Sequence, residues 1–162
     1  MHTREEVLKL LETVSDPEIP VINVVEMGIV REVHLGPNHQ IKIDITPTYS
    51  GCPAMKVIED EITAALSASG FKQVEVRLVY SPPWTTDWLS AEAKRKLKEY
   101  GIAPPGPVKN ELVQLGKQRD EIECPFCNSD QTELRSSFGS TACKAMYYCR
   151  ACRQPFEYFK DF

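Results

Sequence analysis

The sequence predicts an α+β fold: a small three-stranded sheet with helices on one side, followed by a compact C-terminal β ribbon. Three observations carry that reading. Segments of helical and strand period alternate over the first hundred residues. Five of the six cysteines, Cys124, Cys127, Cys143, Cys149 and Cys152, fall in the last 39 residues. Between these regions, Gly101-Ile102-Ala103-Pro104-Pro105-Gly106-Pro107 combines a helix-stopping glycine with three prolines, the composition of an extended spacer. The expected organisation is an α+β domain over residues 1–103, a Pro/Gly-containing linker over 104–121 and a ribbon over 122–162.

The elements follow in order. Thr3 and Glu6 form a capping-box pair, and Val7, Leu10, Leu11 and Val14 recur at helical spacing, so residues 4–14 are expected to be a helix that Asp16-Pro17 ends. An extended run is expected over 19–25. Residues 29–35 and 40–46 flank the turn cluster Gly36-Pro37-Asn38-His39, and Ile41, Ile43 and Ile45 alternate with Lys42 and Asp44, which is the pattern of a β-hairpin. Pro53 opens a second helix whose Met55, Ile58, Ile62, Ala65 and Leu66 share one face up to Gly70. Val74, Val76 and Leu78 alternate as a third strand, and residues 90–100 read as a short charged helix closed by Gly101. In the ribbon, strands are expected over 133–138 and 145–148.

With 162 residues, 42% of them hydrophobic, the chain is long enough to bury a core without disulfide staples. No apolar run approaches the roughly 18 to 20 residues of a membrane span, and the first residues lack the apolar centre of a secretory signal, so a cytoplasmic setting is expected. The net charge of −4 gives no global attraction to a nucleic acid backbone. Signatures of phosphate loops, dinucleotide binding, metalloproteases and α/β-hydrolases are all lacking, which turns the reading away from an independent catalyst.

Cys124-Pro125-Phe126-Cys127 and Cys149-Arg150-Ala151-Cys152 are two CxxC pairs separated by 21 residues. Each pair places two thiolates on one tight turn, and four soft sulfurs in tetrahedral array suit one zinc ion per chain. About 40 residues cannot build a self-sufficient core, so metal binding is expected to supply much of the ribbon's folding free energy. A rubredoxin-like iron site fits the same spacing, and two disulfides are the alternative in an oxidising compartment. Cys143 lies outside both pairs, either as a small apolar packing residue or as a reactive or ligating thiol.

Cys52 follows Thr46-Pro47-Thr48-Tyr49-Ser50-Gly51 and precedes Pro53, at the start of a helix where backbone N–H groups favour a thiolate. A functional thiol and a buried unreactive cysteine are both compatible with that position. Thr46 and Thr48 offer hydroxyls to it. Asp16 and Glu18 are either solvated acids of a helix-ending loop or carboxylates that approach Cys52 as ligands or proton acceptors. His2, His34 and His39 carry no ligand pattern. Trp84 and Trp88 mark either an interface or the packing of the last helix.

Through Asp16-Pro17-Glu18 and the later Thr46-Pro47-Thr48-Tyr49-Ser50-Gly51-Cys52-Pro53, the front domain resembles the small iron-sulfur assembly factors that include SufT. With the two CxxC pairs, Phe138-Gly139-Ser140-Thr141-Ala142-Cys143 and Pro155-Phe156-Glu157-Tyr158-Phe159-Lys160, the whole chain resembles the PaaD family of bacterial phenylacetate catabolism. The resemblance implies cooperation with the phenylacetyl-CoA epoxidase, a multicomponent oxygenase with a di-iron subunit and a [2Fe-2S] flavin reductase, and with the iron-sulfur assembly machinery. It implies an accessory protein in which Cys52 is a transient thiolate ligand for iron or a cluster, assisted by Asp16, Glu18, Thr46 and Thr48. A homodimer sharing the metal is a further possibility. Two other classes stay open: a non-catalytic structural subunit of the epoxidase, and a nucleic-acid-binding ribbon using Lys144, Arg150, Arg153 and Lys160, against which the neutral charge of that segment argues.

Overall fold

The computed structural model describes residues 2–106 and 122–161, so most of the expected linker lies outside the described residues. The chain divides into two compact units. The first runs to Trp84 and includes Trp88–Ser90; the second comprises Thr85–Asp87 and the residues from Ala91 onward.

In the first unit, helix α1 spans Arg4–Leu11 behind a complete capping box, in which the Glu6 N–H donates to Thr3 Oγ1 and the Thr3 N–H to Glu6 Oε2. It stops one turn earlier than the apolar period suggests. The Thr13 and Val14 N–H groups bond three residues back to Leu10 and Leu11, and the Thr13 hydroxyl donates to the Leu10 carbonyl. Residues 19–25 form turns where an extended run was expected. The Asp16 and Asn23 side chains capture backbone N–H groups that a strand would have left for a neighbour, and only the isolated Ser15–Asn23 bridge remains.

Strands β1 (Val30–Leu35) and β2 (Gln40–Ile45) form the expected antiparallel hairpin. Asn38 and His39 take consecutive left-handed conformations in its turn. Helix α2 (Ala54–Ala68) then crosses over to β3 (Gln73–Leu78), which pairs parallel to β2. The sheet order is β1-β2-β3. Ile41, Ile43 and Ile45 of β2, Ile58, Ile62 and Leu66 of α2, and Val7 and Leu11 of α1 are all buried in the core. Each fully buried Ile or Leu contributes about 1.5–3 kcal/mol to this packing. Both helices therefore cover one side of the sheet. The other face is polar, yet Asp44 is buried there because the Arg77 guanidinium clamps it from Nε and Nη2 at 2.8 and 2.7 Å and His34 Nε2 lies 3.2 Å away.

Both tryptophans belong to the first unit. Trp84 is buried and donates from Nε1 to the Met27 carbonyl, while Trp88 lies against Gly28, where an added Cβ would come within 2.9 Å of the Trp88 Cβ. Arg31 stacks over the Trp88 ring at 4.2 Å.

The second unit begins with the turn at Thr85–Asp87 and helix α3 (Ala91–Glu99), and its sheet is formed by β4 (Ile102–Ala103), β5 (Thr132–Ser136), β6 (Lys144–Cys149) and β7 (Pro155–Phe159) in the order β4-β7-β6-β5. A domain boundary after residue 103 assigned α3 and β4 to the front domain; the structure groups them with the ribbon. The reason is a long-range pairing: Ile102 and Ala103 pair parallel with Glu157 and Tyr158 on β7, and α3 packs on β4. Strand β7 adds to the two ribbon strands expected. Its Phe156 and Tyr158 point inward with Tyr147, the rings 5.8 Å apart in a stack and 5.6 Å apart edge to face.

Candidate functional site

Two turns of the ribbon present the clustered cysteines, and they match position for position. The Cys124 N–H bonds to the Ser129 carbonyl and the Cys149 N–H to the Gln154 carbonyl, five residues on in each case. Asn128 and Arg153, each just after the second cysteine of its pair, take φ of 61° and 60°. The two knuckles thus aim four sulfurs at one point. Cys124 and Cys152 Sγ lie 3.7 Å apart, Cys127 and Cys149 Sγ 3.6 Å, and all four fall within 4.8 Å of one another. Zn–S bonds of about 2.3 Å in a tetrahedron require sulfur separations of about 3.8 Å, so the donor set fits zinc. These separations are far beyond a disulfide bond of about 2.05 Å, and the cysteines are free thiols.

The thiols cannot all ionise comfortably without a cation. Burial pushes Cys149 up, but the N–H groups of Cys152 and Ala151 and the Cys127 thiol outweigh it and bring the group down to about 7. Burial and the neighbouring sulfurs push Cys152 up to about 12. Bound zinc would neutralise the charge that this crowding otherwise opposes. Behind the first knuckle, Phe126 packs at the Gly101 corner, and Lys98 Nζ meets Glu123 Oε1 at 2.8 Å. Cys143 stands outside the four-sulfur cluster, buried, with Sγ 3.0 Å from the Thr141 hydroxyl.

The second site is the turn between β2 and α2. Gly51 takes φ of 77° with open space around it, the Cys52 N–H bonds back to the Tyr49 carbonyl, and the Met55 N–H closes the next turn onto the Cys52 carbonyl. Cys52 is half-buried. Burial is the largest influence on its thiol and pushes it up; the Ala54 N–H and the Tyr49 and Thr48 hydroxyls act the other way, and the Glu18 carboxylate pushes it up further. The net direction is upward. The N–H contribution expected at this helix start is present, but burial and the Glu18 carboxylate outweigh it.

The Tyr49 and Thr48 hydroxyls act on the Cys52 thiol through hydrogen bonds and Glu18 through its charge; the sequence alone assigned Tyr49 no role. A hydroxyl three residues before a cysteine at a strand-to-helix turn was the available signal. Asp16 is buried, and its Oδ1 accepts the N–H groups of Glu18 and Ile19 at 2.8 and 2.9 Å, which orders the loop that carries Glu18. Thr46 is buried at the end of β2, its N–H bonded to the Ile29 carbonyl. No helix among the described residues is long and apolar enough to cross a membrane.

Residues 4–78 match the family model of the iron-sulfur cluster assembly protein, and residues 108–160 match that of the PaaD zinc beta ribbon domain. The chain is 45% identical over 156 residues to an Escherichia coli K12 protein provisionally named as a subunit of 1,2-phenylacetyl-CoA epoxidase, covering 96% of this chain and 91% of that one. It is 37% identical over 82 residues to the Fe-S protein maturation auxiliary factor SufT of Staphylococcus aureus, covering 50% of this chain and 92% of the relative. A domain of unknown function from Bacillus anthracis superposes with a TM-score of 0.54 at 32% identity, over 57% of this chain and 89% of that structure. With both domains matched in order and the alignment to the enterobacterial protein spanning nearly its whole length, the chain belongs to the PaaD family, in which an iron-sulfur cluster assembly domain precedes a zinc ribbon.

Proposed function

We propose that the chain is an accessory factor that assists maturation of the iron-sulfur or metal centres of a phenylacetyl-CoA epoxidase, with the [2Fe-2S] reductase as client and the iron-sulfur assembly machinery as source. The observation that carries the reading is the environment of Cys52: one half-buried thiol with a carboxylate, two hydroxyls and a helix-start N–H group around it. Arriving iron, free or in a cluster, is cargo here. The sulfur binds it by releasing the thiol proton, for which Glu18, the carboxylate whose charge reaches the thiol, is the proposed acceptor. One sulfur and one carboxylate leave the metal short of ligands, and a permanent cluster ordinarily takes four cysteines. Cargo held this way leaves by ligand exchange. Asp16 supports the site by ordering the Glu18 loop, and Thr46 anchors the strand from which the turn departs. The four ribbon cysteines hold structural zinc, and the exposed Phe126 and Phe138 rings suit a docking surface for the client. A cytoplasmic setting accords with this work.

A second reading is a stoichiometric, non-catalytic subunit of the epoxidase, favoured by the name that the enterobacterial relative carries. One experiment separates the two. Reductase matured in cells carrying the Cys52→Ala variant should have reduced [2Fe-2S] occupancy and epoxidase activity relative to wild type. Equal occupancy would overturn the maturation role and leave the structural one.

A further inference from the structure

The sheet of the first unit ends on β3, and that edge is open: among the described elements β3 touches only β2 and α2. The bond from the Val79 N–H to the Ile45 carbonyl sets the phase of the strand. In a parallel ladder alternate residues direct both backbone groups at the neighbour. Glu75 and Arg77 therefore face β2, and Val74, Val76 and Leu78 turn N–H and C=O toward the open side. Their side chains lie on the helix-covered face, in register with Ile41, Ile43 and Ile45. Those isoleucines are at most 3% exposed, whereas Leu78 is 39% exposed and Val74 and Val76 are only half-buried. Edge strands are ordinarily blunted by proline, a bulge, short length or charged side chains. Six residues long, without proline and in unbroken register with β2, this one carries none of the first three, and its two charges, Glu75 and Arg77, are of opposite sign.

We propose that β3 is the surface through which two copies of this chain pair, antiparallel about a two-fold axis at Val76, joining two sheets into one of six strands. Charge selects that register. With the axis at Val76, Glu75 stands opposite the partner's Arg77, and the row across the junction reads Lys42, Glu75, the partner's Arg77, the partner's Asp44, alternating in sign throughout. Lys42 already meets Glu75 at 3.2 Å and Arg77 already clamps Asp44, so the four groups extend pairs each copy has formed alone. An axis at residue 75 or 77 would instead set like charges opposite each other. On the other face the same register places Val74 opposite Leu78 and Val76 opposite itself, covering the apolar side chains that one copy leaves half-open. The backbone phase agrees, because the outward groups of Val74, Val76 and Leu78 become three hydrogen-bonded pairs.

The test is sedimentation of the zinc-loaded full chain over a concentration series, with three variants. Wild type should dimerise reversibly. Glu75→Lys, which sets a lysine opposite the partner's Arg77 twice in each dimer, should weaken pairing by about tenfold or more. Val76→Pro, which deletes the N–H at the axis, should do the same. Cys52→Ser should pair like wild type. Concentration-dependent slowing of hydrogen exchange at the Val74, Val76 and Leu78 amides, alternating with unaffected neighbours, would locate the contact. A wild type that stays monomeric up to its solubility limit, a dimer indifferent to Glu75→Lys and Val76→Pro, or a dimer lost in Cys52→Ser would each overturn the proposal.

Discussion

The clustered sulfurs of the ribbon and the single sulfur at the head of α2 make opposite demands. In the ribbon, four sulfurs 3.6 to 4.8 Å apart share one small volume, and their neighbours spread their titration from about 7 to about 12. At the head of α2 burial and the Glu18 carboxylate push the titration of a single sulfur upward. Crowded thiols call for a permanent cation, whereas an isolated, hydrogen-bonded thiol is stable without one and is available for exchange. The units around them differ in the same sense. The first has an aliphatic core of helix and sheet sufficient for its size; the second packs a few rings, Tyr147, Phe156 and Tyr158, around the base of the metal site.

The largest effect expected from this contrast follows removal of zinc. Structural zinc contributes on the order of 10 kcal/mol to the folding of small ribbons, more than the aromatic cluster supplies. A strong chelator, or Cys149→Ser, should therefore abolish the protection of the β5, β6 and β7 amides. Ile43 and Ile58 belong to the core of the first unit, so their exchange protection should stay unchanged. A metal-free protein that retained ordered β6 and β7 would break the comparison at its root.

The same contrast separates what the residues announced from what they did not. The CxxC pairs could be read directly, because ligand spacing is local chemistry, and the hairpin and α2 followed from periods that tertiary packing reinforced. Residues 19–25 misled because Asp16 and Asn23 spend their side chains on nearby N–H groups, a competition that apolar content does not reveal. The assignment of Ile102 and Ala103 to the ribbon depends on pairing with Glu157 and Tyr158, more than fifty residues away, and no local pattern encodes it. At Cys52 the helix-start position was visible, but the sign of the thiol's shift depended on burial and on Glu18, which is distant in the chain. Tyr49, only three residues from Cys52, is not marked as a partner by the sequence because spacing in a turn does not show which way its hydroxyl points.

A smaller effect, confined to the first unit, is acid sensitivity. The Arg77 guanidinium holds the Asp44 carboxyl below its ordinary value, with burial opposing and His34 assisting. A carboxylate depressed in the folded state contributes stability that is complete above its unfolded value, near 4, and is lost as pH falls through the folded one. Wild type should thus lose resistance to urea on passing from about pH 5 to about pH 3, as followed by tryptophan fluorescence. Asp44→Asn should start with a lower midpoint at pH 7 and show a flatter decline below about pH 4. Parallel curves for the two proteins would mean that the Asp44 pair has no part in acid unfolding. Because the reporting tryptophans lie outside the ribbon, protonation of the zinc ligands in the same range does not enter the measurement directly.

The smallest effect bears on the isolated sulfur itself. If the Glu18 carboxylate helps keep Cys52 protonated, Glu18→Gln removes a negative charge beside the sulfur, lowers its titration point and raises the thiolate fraction at neutral pH. Alkylation of Cys52 by iodoacetamide, read by peptide mass spectrometry on zinc-loaded protein, should then quicken by about threefold. Thr48→Val and Tyr49→Phe remove hydroxyls that favour the thiolate and should slow the same reaction. Opposite signs from substitutions around one atom are hard to obtain from a general loosening of the fold, which would speed all three. If Glu18→Gln left the rate unchanged while Thr48→Val slowed it, hydrogen bonding alone would govern the thiol, and the carboxylate would lose its place as proton acceptor when cargo binds.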